Sequence, residues 1–178
     1  MNRHGVRIPP PFQTGFVVRD VTAALRYWTE VIGAGPFFVF RSNQWQELFY
    51  NGERIELDSR MAIGQWGDTQ IEFIEQLNDC PSPYKTFSDA SREGLHHFGS
   101  MVEDLDAAVA RLEAVGKRKV YWGVAKGEVH FAYLVEDEHP GSMIELIEHG
   151  PTIDGLMTMV RDAARNWDGT DPIRYLSV

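Results

Sequence analysis

Two histidines stand side by side in Glu93-Gly94-Leu95-His96-His97-Phe98-Gly99-Ser100-Met101-Val102. Along an extended strand neighbouring side chains point to opposite faces, so only one of the two can face a given site. The chain's own repetition indicates which. Gln13 to Ala24, QTGFVVRDVTAA, lies over His97 to Ala108, HFGSMVEDLDAA, with identities at Gly, Val, Asp and both Ala and a constant offset of 97 − 13 = 84. A second repeat sets Ile71-Glu72-Phe73-Ile74-Glu75 over Ile144-Glu145-Leu146-Ile147-Glu148, identical at four of five positions with an offset of 145 − 72 = 73. The polar residues at equivalent strand positions are therefore Gln13 with His97, and Glu72 with Glu145. Their apolar neighbours Ile71, Phe73, Ile144 and Leu146 suit a helix-covered face, which turns both carboxylates to the concave side. His97 is the inward candidate, and His96 is expected to point away in a structural role.

One amide oxygen, one imidazole and two carboxylates form a hard, mostly oxygen ligand set of charge −2, which matches a divalent cation. Cys80 is the single cysteine, so no disulfide framework and no thiolate cage is available. The set suits an open, six-coordinate site carrying waters rather than a closed structural zinc site. The plainer alternative is that each is a buried polar residue satisfied by hydrogen bonds. Glu56 is a further carboxylate candidate, against an exposed strand residue. His130, in EVHFAYLV, either faces the cleft or is an ordinary strand histidine; His4, His139 and His149 read as surface or loop residues. The aromatics Phe37, Phe38, Phe40, Trp45, Tyr121, Trp122, Phe131 and Tyr133 are core or interface material, some of them able to line an apolar pocket. Among these, Phe38, Trp122 and Tyr133 join His130 as substrate-binding candidates. Cys80 has no activating partner.

The elements that must position these groups are legible in outline. Each repeat opens as an apolar strand, meets an aspartate suited to a helix N-cap, and continues as an amphipathic helix. Val21, Ala24, Leu25, Trp28 and Val31 recur at helical spacing before Gly33, and Leu105, Ala108, Val109, Leu112 and Val115 do so before Gly116. Further strand-like runs are 37–40, 47–50, 53–57, 120–124 and 129–135. Each unit reads strand, helix, then three strands, with 84 − 73 = 11 extra residues in the first. We expect one domain over 1–178, with a first module at about 12–77, a linker at 78–93 and a second module at about 94–149. In the tail, 150–178, Ile153, Leu156, Met157, Val160 and Ala164 suggest one more helix, packed across the body or against a partner subunit.

Bulk properties exclude several classes. A net charge of −9 without a basic stripe gives no footprint for a nucleic-acid backbone. The Lys117-Arg118-Lys119 cluster reads as a solvated turn, or as a contact for a phosphate-bearing tail of a small ligand. The start lacks the apolar core of a signal peptide and no run approaches 18 apolar residues, so no membrane span and a soluble, cytoplasmic protein are expected.

On QTGFVVRDVTAALRYW, GLHHFGSMVEDLDAAV and MIELIE, residues 12 to 149 resemble the vicinal oxygen chelate superfamily, especially its glyoxalase I and methylmalonyl-CoA epimerase branch. The resemblance implies an α+β fold of two tandem βαβββ modules forming a half-barrel cleft around a metal, usually in a homodimer. Carried over by position, the four metal ligands fall on Gln13, Glu72, His97 and Glu145. Histidine is usual at the first of these in the epimerases and bacterial glyoxalases, whereas glutamine stands there in animal-type glyoxalase I. The resemblance implies a Zn, Ni, Co, Mn or Mg ion that stabilises an enediolate when a proton leaves the carbon next to a carbonyl. Following the glyoxalase pattern, Glu145 is the base, with Glu56 as a second candidate. The substrate class is a small-molecule carbonyl, thioester or aromatic compound; no glutathione signature and no coenzyme A phosphate site stands out. Two rivals share the fold: a metal-free, resistance-type binding protein, and a ring-cleaving dioxygenase, which needs two histidines and a carboxylate at its iron.

Overall fold

The computed structural model describes residues 7–135 and 143–176, so His4 and His139 of the residues above lie outside it. In chain order the elements are β1 (Gln13–Val17), α1 (Val21–Tyr27) prolonged by a π turn at Trp28–Ile32, β2 (Phe37–Ser42), β3 (Trp45–Tyr50), β4 (Glu53–Arg54), β5 (Ser59–Trp66) and β6 (Thr69–Gln76). They continue with α2 (Pro83–Asp89), β7 (Gly94–Val102), α3 (Leu105–Glu113), β8 (Arg118–Ala125), β9 (Val129–Val135), β10 (Met143–Glu148), α4 (Pro151–Ala164) and β11 (Ile173–Tyr175). The fold is α+β, two tandem strand-helix-strand modules plus a helical tail.

The eleven strands among the described residues join one sheet in the order β11-β2-β5-β6-β1-β7-β10-β9-β8-β3-β4. The modules meet at its centre, where β1 and β7 run antiparallel. Each is flanked by the last strand of its own module in parallel, β6 beside β1 and β10 beside β7. The sheet cannot be flat. Only Asn43 and Gln44 separate β2 from β3, which stand near opposite ends of the order, and three Cα steps reach no more than about 11 Å. The two ends must curl toward each other, and Ser42 and Trp45 accordingly line the same central cavity.

Local rules account for the helices. Asp20 and Asp104 cap α1 and α3, accepting from the Ala23 and Ala107 amides at 3.1 and 2.8 Å. The closing glutamates of the second repeat reach the same helix starts. Glu75 Oε2 accepts from the Val21 amide at 3.1 Å, and Glu148 Oε1 from the Leu105 amide at 2.9 Å. A carboxylate there satisfies an orphan donor and complements the positive end of the helix dipole. Val21 and Leu25 pack on Ile71 and Phe73, and Ala108, Val109 and Leu112 on Leu134 and Leu146, so both helices cover the convex side.

Three features differ from the sequence reading. β5 was not anticipated, because RMAIGQW carries Ala62 and Gly64 and lacks a run of β-branched residues. The runs at 47–50 and 53–57 form not two more strands of the first module but a hairpin whose β3 adds to β8 of the second. The stretch 78–93 holds a helix, α2, capped by Ser82. The tail lies across the body: α4 packs Val160 against Phe38 and Ile63, and β11 extends the sheet beside β2. Among the described residues no helix is long and apolar enough to cross a membrane.

Replacing Glu148 by Ala should cost about 1 kcal/mol of stability through the lost cap. Urea denaturation measures it, and ligand binding in the cleft should be unaffected.

Candidate functional site in the cleft

The cross-strand register of β1 and β7 explains how large polar side chains fit at the centre of a sheet. Gln13 stands opposite Gly99, and Gly15 opposite His97, two pairs related by the same offset of 84 as the sequence repeat. On the outer sides Glu72 stands beside Gly15 and Glu145 beside Gly99. Each glycine thus has a ligand-type side chain on either side and supplies the space that those side chains fill. A methyl group on Gly15 would lie 1.8 Å from His97 Cε1, and one on Gly99 would lie 2.8 Å from Gln13 Oε1 and 3.3 Å from Glu145 Oε2.

The four side chains therefore converge. His97 Nε2 lies 3.3 Å from Glu72 Oε2 and 3.2 Å from Glu145 Oε2. One ligand atom each from Glu72, His97 and Glu145 falls within 4.8 Å of the others. All are buried, as is Gln13. Gln13 Nε2 donates to Gln70 Oε1 at 2.7 Å, which orients the amide and leaves its oxygen toward the cleft. Gln13 Oε1 has no hydrogen-bond partner among the described residues, and Glu145 Oε2 has no bond of good geometry beyond its 3.2 Å contact with His97 Nε2. Buried acceptors without donors are costly. They are what a cation would satisfy, and the donor set of amide, carboxylates and imidazole fits a divalent one.

Electrostatics follow from this crowding. Burial pushes the His97 imidazole down, but the Glu145 and Glu72 carboxylates outweigh it and hold it up at about 9. Burial raises Glu72, with the His97 contact opposing and the Glu145 charge adding. His96 did not turn away as alternation predicts. Gly15 pairs with His97 and the next residue, Phe16, with Leu95, so His96 is left over in a bulge. Its Nδ1 lies 3.1 Å from His97 Nδ1, and burial followed by the His97 charge pushes it down to about 3.

Above the quartet lies a cavity of about 210 Å³. Gln13, Glu72 and Glu145 form its polar floor; Met61, Ile63, Phe131 and Ile147 form apolar walls; Ile153, Leu156 and Met157 of α4 roof it. Arg41 and Lys126 stand at its edge. Tyr133 lines it, 3.5 Å from His97 Nε2 through its hydroxyl and 3.0 Å from the Tyr84 hydroxyl. Burial holds both phenols well above their ordinary range, so they remain O–H donors.

Four other candidates are not brought to this cavity. Glu56 is exposed between β4 and β5 and lines a separate polar hollow beside Arg54 and Glu47. His130 is half-exposed, 3.9 Å from Glu128. Trp122 stacks on Phe49 beneath Lys119, and Phe38 is sealed against Ile63 and Val160. For His130 and Trp122, strand parity decides: the cavity takes Phe131 and Tyr133 of β9. Gln70 and Tyr84 were missed; Gln70 sits on the strand of Glu72, but Tyr84 lies in a segment rich in turn residues and gave no signal.

The sequence profile described as "Glyoxalase/Bleomycin resistance protein/Dioxygenase superfamily" matches residues 12–134. Similar solved structures include methylmalonyl-CoA epimerase from Mycobacterium tuberculosis, 20% identical, with a TM-score of 0.58 over 87% of this chain and 97% of that one. A protein from Bacillus halodurans is 16% identical, with a TM-score of 0.57 over 79% and 94%. A Streptomyces coelicolor methylmalonyl-CoA epimerase variant in complex with 2-nitronate-propionyl-CoA is 16% identical, with a TM-score of 0.56 over 82% and 100%. No curated protein sequence matches the chain.

Replacing Gly15 by Ala should expel the His97 ring and destabilise the protein by about 1–3 kcal/mol through overpacking. Thermal unfolding and the histidine NMR signals read both effects; a wild-type His97 environment in that variant would contradict the packing described.

Proposed function

The chain belongs to the glyoxalase/bleomycin resistance protein/dioxygenase superfamily, and on that premise we propose that it is a metal-dependent lyase or isomerase/epimerase acting on the carbon next to a carbonyl. The observation that carries this reading is the convergence of Glu72, His97 and Glu145 within 4.8 Å on the floor of an apolar cavity. Gln13 Oε1, the Glu72 and Glu145 carboxylates and His97 Nε2 would hold the ion, one of Zn, Ni, Co, Mn or Mg. When bound, such an ion supplies Lewis-acid stabilisation of the enediolate charge.

The remaining work falls to side chains. Glu145, whose buried Oε2 has the His97 ring 3.2 Å away as its polar contact, takes the proton from the substrate carbon. It returns the proton to the neighbouring carbon in an isomerisation; in an epimerisation Glu72, the other floor carboxylate, is the group able to deliver a proton from a second direction. The Tyr84–Tyr133 pair offers an O–H donor to a substrate oxygen. Apolar walls orient the substrate body and exclude water. At about 30 Å³ per water, the cavity of about 210 Å³ has room for a short acyl or aryl unit, with any longer carrier left outside. The structural neighbours named for methylmalonyl-CoA make a thioester the first class to test, with compact aromatic carbonyl compounds next. A homodimer is part of the proposal.

The apolar, roofed cavity also favours a second reading, a metal-free binding protein. A ring-cleaving dioxygenase is not favoured, since His130 stands outside the cleft and His97 is the one histidine facing the floor carboxylates among the described residues.

Metal analysis of the purified protein is expected to give about one divalent ion per chain, and proton exchange in deuterium oxide should reveal turnover of a thioester or hydroxy-carbonyl panel. Near-zero metal that no added ion restores would favour the binder. Glu145→Gln should abolish exchange while the fold persists; unchanged turnover would remove Glu145 from the mechanism. A pH dependence follows too. With His97 held at about 9, its imidazole is protonated at neutral pH and must lose that proton to bind an ion. Ion affinity should rise with pH and level off above about 9, and calorimetry at pH 7 in buffers of different ionisation enthalpy should show about one proton released per ion.

A further inference from the structure

We propose that His96 is a positioning residue: its Nδ1 accepts the Nδ1 proton of His97 and thereby fixes the His97 ring with Nε2 turned to Glu72 and Glu145. The inference rests on the reading of the cleft as an ion site only for its consequence, and on geometry for its substance.

The two Nδ1 atoms are 3.1 Å apart, a hydrogen-bond distance that accommodates one proton between them. One ring donates and the other accepts. If His97 were the acceptor, its neutral form would carry the proton on Nε2, the nitrogen 3.2–3.3 Å from both carboxylates, and no lone pair would face the floor. If His97 donates, the neutral ring presents the Nε2 lone pair to the carboxylate pair. The distances make His97 the donor: two carboxylates 3.2–3.3 Å from Nε2 stabilise a proton there, so the ring that carries both protons is His97, donating from Nδ1 to His96 and from Nε2 to the floor, and it bares the Nε2 lone pair when an ion displaces that proton.

His96 is built to stay where it is. The bulge at Gly15/Phe16 brings it beside His97 rather than to the opposite face. It is 3% exposed, with the Tyr84 and Phe87 rings each 5.3 Å from its own and Tyr133 at 6.1 Å. Its Nε2 makes no hydrogen bond of good geometry, the Pro83 backbone being the other polar group beside the ring, so Nδ1 is left to His97. A partner on the far nitrogen of a metal-binding histidine sets both tautomer and ring angle, and losing it typically weakens ion binding 10–100-fold.

Two variants separate positioning from packing. Asparagine places its Oδ1 where the imidazole has Nδ1 and keeps an acceptor; leucine fills similar space and has none. With Zn²⁺ or Ni²⁺ alone as the probe, His96→Leu should bind about 10–100-fold more weakly, and His96→Asn should recover most of that loss. A folded His96→Leu protein that binds the ion like wild type would overturn the proposal, as would a His96→Asn protein no better than His96→Leu. The second measurement needs no variant. In ¹⁵N-histidine-labelled, ion-free wild type, a through-hydrogen-bond ¹⁵N–¹⁵N coupling should join the two Nδ1 atoms, with the proton bonded to His97. Absence of that coupling, or a proton bonded to His96 Nδ1, overturns the proposal even if His96→Leu fails to fold. Refusal of every ion by wild type would sink the metal reading alone, since the coupling still judges His96.

Discussion

At the centre of the sheet the His97 imidazole lies over Gly15 and the Gln13 amide over Gly99; a side chain at Gly15 would collide with the His97 ring, and one at Gly99 would displace the Gln13 amide. The rest of the cleft depends on this reciprocal fit. Interiors are packed too densely to hold an imidazole and an amide between adjacent strands unless the facing positions give up their own side chains. Because the vacated position on each central strand also neighbours a glutamate on the next, one glycine per module serves an inner and an outer polar group together. The duplicated sequence makes the arrangement nearly two-fold, and the result is four converging side chains from four adjacent strands.

The same strands serve both faces. In each module's last strand the glutamate at 72 or 145 points into the cleft, while the glutamate three residues later, at 75 or 148, points to the helix side and accepts a backbone amide from α1 or α3. An odd spacing on a strand reverses the face. One acid is thus stabilised by a helix N-terminus, and its neighbour is left in the cleft among carboxylate, imidazole and amide. That contrast, within five residues, separates an acid held at a helix start from one held in the cleft.

The first module departs from the symmetry through residues 43–58, which replace what in the second module is a three-residue turn at 126–128. The insertion crosses to the other end of the sheet, where β3 pairs with β8 and binds the two modules together at their far edges. With α4 laid over the concave side, the half-barrel becomes a roofed cavity of limited volume. The cavity walls come from the duplicated core, through Met61, Ile63, Phe131 and Ile147, and the roof comes from the added α4.

By itself the sequence determined the two modules, their capped amphipathic helices and the inward quartet of Gln13, Glu72, His97 and Glu145, because these depend on local periodicity and on repetition within the chain. It could not place Tyr84 or Gln70, whose contributions come from contacts made between distant segments. It turned His96 the wrong way, because strict alternation fails where a register slip leaves one residue unpaired. It offered Glu56, His130, Trp122 and Phe38 as site residues when only the curl of the sheet and the seating of α4 decide which strand positions reach the cavity. It also missed β5, since a strand buried on both faces carries no alternation to read. Period and repetition are written along the chain, whereas curvature, bulges and the roof arise from packing between parts far apart in it.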